Sequence, residues 1–322
     1  MRLARRSPAC RRVRIEMPLA FGRLVHSDWS VLSRKRWTAE AVRSSNGWSI
    51  AVLQQTPSSF VDYLFDGSEH TLAGFDFPIG LPSFYATKAG LDFRDLISNP
   101  SSDRLQQFLT PVETLFDVSI NQPFYRKHPK GGRHSILFSR LECRSIEDLL
   151  RDCDKKTKNR LRAEAIFWTV GAKQVGKAAL AGWREILIPA LVRGASLWPF
   201  DGPLSSLSRG RLTIAETYPA EAYQHIGMSK TIRKRSQDGR TTAGNRMLDW
   251  ASEYGVELAQ PVETQIRSGF GDGEDGEDPF DAIAGLCSMI EVVEGRRAEA
   301  ADLGKSTKSG EGWILGQIEG PC

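Results

Sequence analysis

The chain has 322 residues, 40% apolar and 25% charged, ordinary values for a globular protein with one large core or two modest ones. No run of 18 or more apolar residues occurs, so no membrane-spanning helix, and no membrane partner, is expected. The net charge of +4 is unevenly placed, because Arg2, Arg5, Arg6, Arg11, Arg12 and Arg14 face only Glu16 in the first 16 residues. The remainder is close to neutral, so overall charge does not mark the folded body as a polyanion binder; only local clusters can.

Residues 1–20 read as a basic tail outside the fold, either a disordered extension or a segment preceding a true start at Met17. It is Arg-rich and acid-poor like a targeting peptide, but it has a single Ser and no apolar stretch. Cys10, Cys143, Cys153, Cys287 and Cys322 are odd in number and form no CxxC pair, which fits a reducing, cytoplasmic location and offers no zinc site. The histidines are equally dispersed, without an HExxH motif.

Residues 23–27 read as a strand that ends on Asp28. Two further strands, 36–42 and 48–54, are joined at Asn46-Gly47, a strong hairpin signal, and the three form an antiparallel meander. Pro57-Ser58-Ser59 opens a helix with Phe60, Val61, Leu64 and Phe65 at helical spacing, and Gly67 closes it. Leu72, Ala73 and Phe75 then form a buried strand, parallel to an earlier one because it is reached through a helix. It ends on Asp76 and turns at Pro78, Gly80 and Pro82. An acid there lies at the carboxyl edge of the sheet, where ligands bind in open α/β sheets; the alternative is that Asp76 only caps the turn.

Residues 83–210 are too long for an unstructured loop and read as a mostly helical insertion, with helices at 145–151, 160–168 and 178–191. The core is then divided between 21–82 and 211–322. The insertion carries two basic patches, Arg126, Lys127, Lys130 and Arg133, and Lys155, Lys156 and Lys158. Each is a solvated surface or a phosphate-contacting face. Gly171 to Lys177 fits G-x-x-x-x-G-K, but Ala178 stands where a phosphate loop needs a hydroxyl, so a turn between helices is the better reading.

Residues 211–215 form another strand ending on Glu216, followed by a helix from Pro219. Arg233, Lys234 and Arg235 make a third basic cluster, before an amphipathic helix through Met247, Leu248 and Trp250. Residues 269–276 form an acidic glycine loop without core potential. Asp278 is a good N-cap and Pro279 a good first residue for a helix running to about Val293. Its apolar side comprises Ala282, Ile283, Leu286, Met289 and Ile290, and Trp313-Ile314-Leu315 is expected to fold back onto the body.

Asp28, Asp76 and Glu216 thus end strands, while Asp278 and Asp281, three apart, share a face of the last helix. Converging acids need a neutralising charge, and two hard divalent ions about 4 Å apart, held by carboxylate oxygens, can activate water for phosphodiester hydrolysis. His26-Ser27-Asp28-Trp29-Ser30, Gly74-Phe75-Asp76-Phe77-Pro78, Ala215-Glu216-Thr217-Tyr218-Pro219 and Asp278-Pro279-Phe280-Asp281-Ala282 resemble the four acidic blocks of the DUF429 family. Those proteins are predicted nucleases of ribonuclease H-like fold.

The resemblance covers about 22–82 and 211–295 and implies an α/β, ribonuclease H-like mixed sheet flanked by helices. It also implies a metal-dependent nuclease using Mg²⁺ or Mn²⁺, with DNA or RNA as substrate. Asp28, Asp76 and Asp281 would bind metal, Asp278 would share that role or cap the helix, and Glu216 would bind metal or position water. The insertion's basic clusters would guide the strand. A nucleotide phosphotransferase or ATPase of related fold, and a non-catalytic nucleic-acid-binding module, are the competing expectations.

Overall fold

The computed structural model describes residues 18–127, 133–158, 160–169, 174–229, 231–301 and 310–321. Most of the basic tail, Met17, Lys130 and Gly171 to Lys173 therefore lie outside the described residues. The strands are β1 (Arg23–Asp28), β2 (Trp37–Ser44), β3 (Gly47–Gln55), β4 (Thr71–Phe75), β5 (Val112–Thr114), β6 (Tyr125–Lys127), β7 (Ser196–Leu197), β8 (Leu212–Glu216) and β9 (Glu257–Leu258). Seven of them form one mixed sheet in the order β7-β8-β4-β1-β2-β3-β9, and β5 and β6 pair separately. The protein is α/β: β1, β2 and β3 run antiparallel as the hairpin signal predicts, and β4 and β8 extend the sheet parallel to β1.

Every residue of β1, β4 and β8 is buried, because helices cover the sheet on both faces. Successive side chains alternate between two cores. Val25, Ala73, Phe75 and Ile214 pack under the helices of 83–210, around Tyr85, Phe93 and Trp183. Leu24, Leu72 and Ala215 pack against the final helix, Glu277–Val293. That helix is buried from Pro279 through Val293, not only along the apolar side that its sequence suggests. Its outer flank is covered by neighbours: Trp250 of the helix Gln237–Glu253 donates to Glu291 at 2.8 Å, and the Trp313–Leu315 segment folds back, with Ile314 bridging beside Glu216. The final helix approaches β1 closely because residue 285 is glycine; a Cβ there would stand 2.2 Å from the His26 ring.

Four expectations require correction. No helix forms within the described residues 160–168. The Arg160 guanidinium reaches Glu221 at 3.0 Å, and the Ala163 N–H bonds the Asp154 carbonyl at 2.8 Å, so long-range partners take up the groups of this segment. The stretch 145–151 holds only one 3₁₀ turn, Ile146–Leu149, whereas the expected helix 178–191 is present within a run from Val175 to Val192 whose middle turn is π-helical. Asp278 is not an N-cap: the final helix starts at Glu277 after Gly276, placing Asp278 and Pro279 inside its first turn, where a missing N–H breaks no helical bond. Finally, the acidic glycine loop does contribute to the core, since Phe270 is buried against Phe280, and Arg240 moors the loop by donating to the carbonyls of Gly269, Gly271 and Gly273, each at 2.8 Å.

The segment 83–210 also supplies β7, which pairs with β8 at the sheet edge. Among the described residues no helix is long and apolar enough to cross a membrane.

Candidate carboxylate site

The parallel register of β1 and β4 sets Ser27 opposite Phe75, so the next residues, Asp28 and Asp76, leave neighbouring strands at the same level. Both are taken largely out of water, with Asp28 only 9% exposed. Burial first, then the charges of Asp76 and Asp281 and a side-chain hydrogen bond with Asp76, raise Asp28 well above the usual carboxylate range. Burial pushes Asp76 up to about 6 despite that bond and the Trp29 N–H, which it accepts at 2.6 Å.

Asp281 enters from the final helix. Its pKa is raised first by burial, against the pull of Lys234, whose Nζ lies 2.5 Å from Oδ2, and of the Tyr223 hydroxyl, which donates to Oδ1. Lys234 also pairs with Glu277 at 2.8 Å. Asp278, partly exposed at the rim, is raised to about 6 by burial, with Lys35 opposing the shift. These acids feel one another's charge, as converging groups must, and Lys234 is thereby drawn into the cluster rather than left on a basic surface.

Glu216 is held differently. It pairs with Phe75 in the β4–β8 register, and Thr217 is the residue level with Asp76. Because side chains alternate along a strand, Thr217 turns toward the final helix, where it meets His26 at 2.8 Å, while Glu216 turns to the opposite face. There Arg151, fully buried, grips both Glu216 oxygens at 2.6 and 2.7 Å and both Asp154 oxygens at 2.8 and 2.9 Å. The Ile79 N–H adds a bond to Glu216 at 2.6 Å. The pKa of Glu216 is still raised to about 7 by its burial, which outweighs Arg151. Its oxygens are thus committed to a buried ion-pair network.

A cleft of about 580 Å³ opens onto this edge, bounded by Trp29, Val31, Lys35, Asp76, Glu216 and Tyr218 on the core side and by Ala163, Val175 and Ala178 on the other. Of the basic residues singled out from the sequence, Arg126 and Lys127 lie on β6, the latter paired with Glu113, and Arg133, Lys156 and Lys158 are exposed. Lys155 pairs with Asp152 at 2.6 Å, Arg233 faces Asp238 at 3.9 Å, and Arg235 is exposed. For the phosphate-loop motif, the described residues 160–169 hold no strand and a helix begins at Val175, so the strand–loop–helix context is missing.

Arg151, Asp154, Tyr223 and Lys35 are site neighbours that sequence reasoning missed. Their only sequence signal is the packed charge of Arg151-Asp152-Cys153-Asp154, which does not reveal a partner 65 residues away.

Among the described residues no group of three or more His, Cys, Asp or Glu side chains stands arranged to hold a metal ion. Lys234 pairs with Asp281. The donors themselves, carboxylate oxygens in excess of nearby cations, suit a hard divalent ion. No family model, curated protein or solved structure matches the chain.

Proposed function

We propose that this protein is a metal-dependent nuclease of ribonuclease H-like fold, hydrolysing phosphodiester bonds of DNA or RNA at the Asp28–Asp76–Asp281 edge of the sheet. The observation that carries this reading is the Asp28–Asp76 pair, two buried carboxyl groups that follow adjacent parallel strands at the same level and face Asp281. Buried carboxyl groups with raised pKa values, one of them lining a cleft, support a site suited to added positive charge. The strand sequence β3-β2-β1-β4-β8, antiparallel and then parallel, is compatible with the ribonuclease H-like fold that the DUF429 resemblance implies.

In this reading Asp28 and Asp76 would hold Mg²⁺ or Mn²⁺, with Asp281 and Asp278 as further oxygen ligands. A bound divalent ion lowers the pKa of water and stabilises charge developing on the phosphate. Lys234 neutralises Asp281 in the metal-free protein. Glu216 serves as the anchor for Arg151 and fixes the turn after β4 through the Ile79 N–H.

The test is cleavage of labelled single- and double-stranded oligonucleotides with Mg²⁺ or Mn²⁺. The wild type cleaves, EDTA abolishes cleavage, and Asp28→Asn and Asp76→Asn each lower the rate by about 10² or more while remaining folded. Equal cleavage by the variants would assign the activity to a contaminant and refute the reading.

A further inference from the structure

A second cleft, of about 590 Å³, adjoins the acidic one: Val31 lines both. Arg126, Lys177 and Arg184 converge on it, the first from β6 and the others from the helical run that begins at Val175. Lys177 and Arg184 stand seven residues apart, two turns, and so share a helix face. Arg184 is fixed by a 2.7 Å bond to the Leu109 carbonyl, and its pKa is lowered by burial and by the neighbouring charge of Arg126.

Among the described residues no carboxylate pairs with any of these three cations. Glu185, the one acid lining this cleft among the described residues, is taken by Arg36 at 2.6 and 3.2 Å. Glu113 is ion-paired with Lys127, next in sequence to Arg126, and its carboxylate also feels the charge of Arg126 without pairing with it. Three like charges gathered around a concave surface repel one another unless an anion enters, and they raise the local concentration of anions. Arg and Lys in such a setting favour phosphate, Arg by its forked donors and Lys as a point charge.

The geometry points to a phosphate-binding subsite formed by Arg126, Lys177 and Arg184, which holds phosphates flanking the bond that the acids address. This inference rests on the nuclease reading for the role of the ligand, though not for the existence of the subsite.

The experiment measures binding of a fluorescein-labelled single-stranded oligonucleotide to the full chain in EDTA, across a salt series, with inorganic phosphate and ATP as competitors. Arg126→Gln/Lys177→Gln is expected to weaken binding about tenfold at low salt and to reduce the log–log salt slope by about 1.4, roughly 0.7 for each phosphate of the single strand that is no longer neutralised. Arg126→Lys/Lys177→Arg retains affinity, and thermal melts verify that both double variants fold. Displacement of the oligonucleotide by millimolar phosphate or ATP supports the subsite with free phosphate compounds as its ligand; no displacement, alongside the variant's loss, supports it with the strand backbone as ligand.

Unchanged affinity and slope in the glutamine variant would overturn the inference. The two readings fail separately. Oligonucleotide binding through this cleft by a protein that cleaves nothing refutes the nuclease and keeps the subsite, whereas metal-dependent cleavage with unchanged binding by the glutamine variant refutes the subsite alone.

Discussion

Replacing Asp28 by Asn should stabilise the metal-free protein at neutral pH, although it removes a residue assigned to the chemistry. Asp28 and Asp76 ionise at higher pH in the folded than in the unfolded chain, so folding takes up protons. Their contribution to stability is therefore fully present below 3.8, the ordinary carboxyl value, and is lost as pH rises through about 6 for Asp76. Asp28, raised by burial and by the charges of Asp76 and Asp281, therefore costs folding free energy at neutral pH that a non-titrating side chain in its place would not.

Asn is nearly isosteric, and its amide can donate to Asp76 as the Asp28 hydroxyl does, so the bond is kept and the proton uptake disappears. Chemical denaturation in EDTA should show Asp28→Asn more stable than wild type at pH 7.5, by about 0.5–2 kcal/mol, with a smaller advantage at pH 4, where the unfolded acid is also largely protonated. Lower stability of the variant at pH 7.5, or an equal advantage at both pH values, would refute the reasoning.

Arg151→Met leaves Glu216 and Asp154 buried without their counter-charge and should cost about 3–5 kcal/mol by denaturation at pH 7.5. Adding Glu216→Gln and Asp154→Asn to it should recover much of that loss, and failure to recover any would mean that the network is not the source of the cost. Gly285→Ala drives a methyl group into the His26 ring, which is fixed by its bond to Thr217. It should lower stability by about 1–3 kcal/mol, read from the shift in thermal unfolding.

β1, β4, β8 and the final helix are legible because each is an apolar run bounded by an acid, Gly or Pro, and β2 and β3 because Asn46-Gly47 marks their hairpin, whereas β5, β6, β7 and β9, two or three residues each, carry no such local signal. Asp28 and Asp76 were legible for the same reason, as the first polar groups after buried strands. Glu216 looks identical in sequence, yet its direction depends on its being level with Phe75 rather than Asp76, which is a property of pairing across 141 residues. The 160–168 segment has helical periodicity that long-range bonds of Arg160 and Ala163 override. Lys234 read as one of three surface cations; only the fold shows that it lies between Glu277 and Asp281.

The order in which the sheet is assembled bears on biosynthesis. β4 ends at Phe75, but its parallel neighbour β8 begins only at Leu212, and Asp281 arrives on a helix buried on every side near the end of the chain. Such distant pairings close late and slowly. A partly synthesised chain can hold Asp28 and Asp76 but not Asp281 with its Lys234 and Tyr223 partners. On the ribosome, therefore, the acidic site remains incomplete until the helix Glu277–Val293 has been made, and truncations that remove this helix yield chains with neither a closed core nor a whole site.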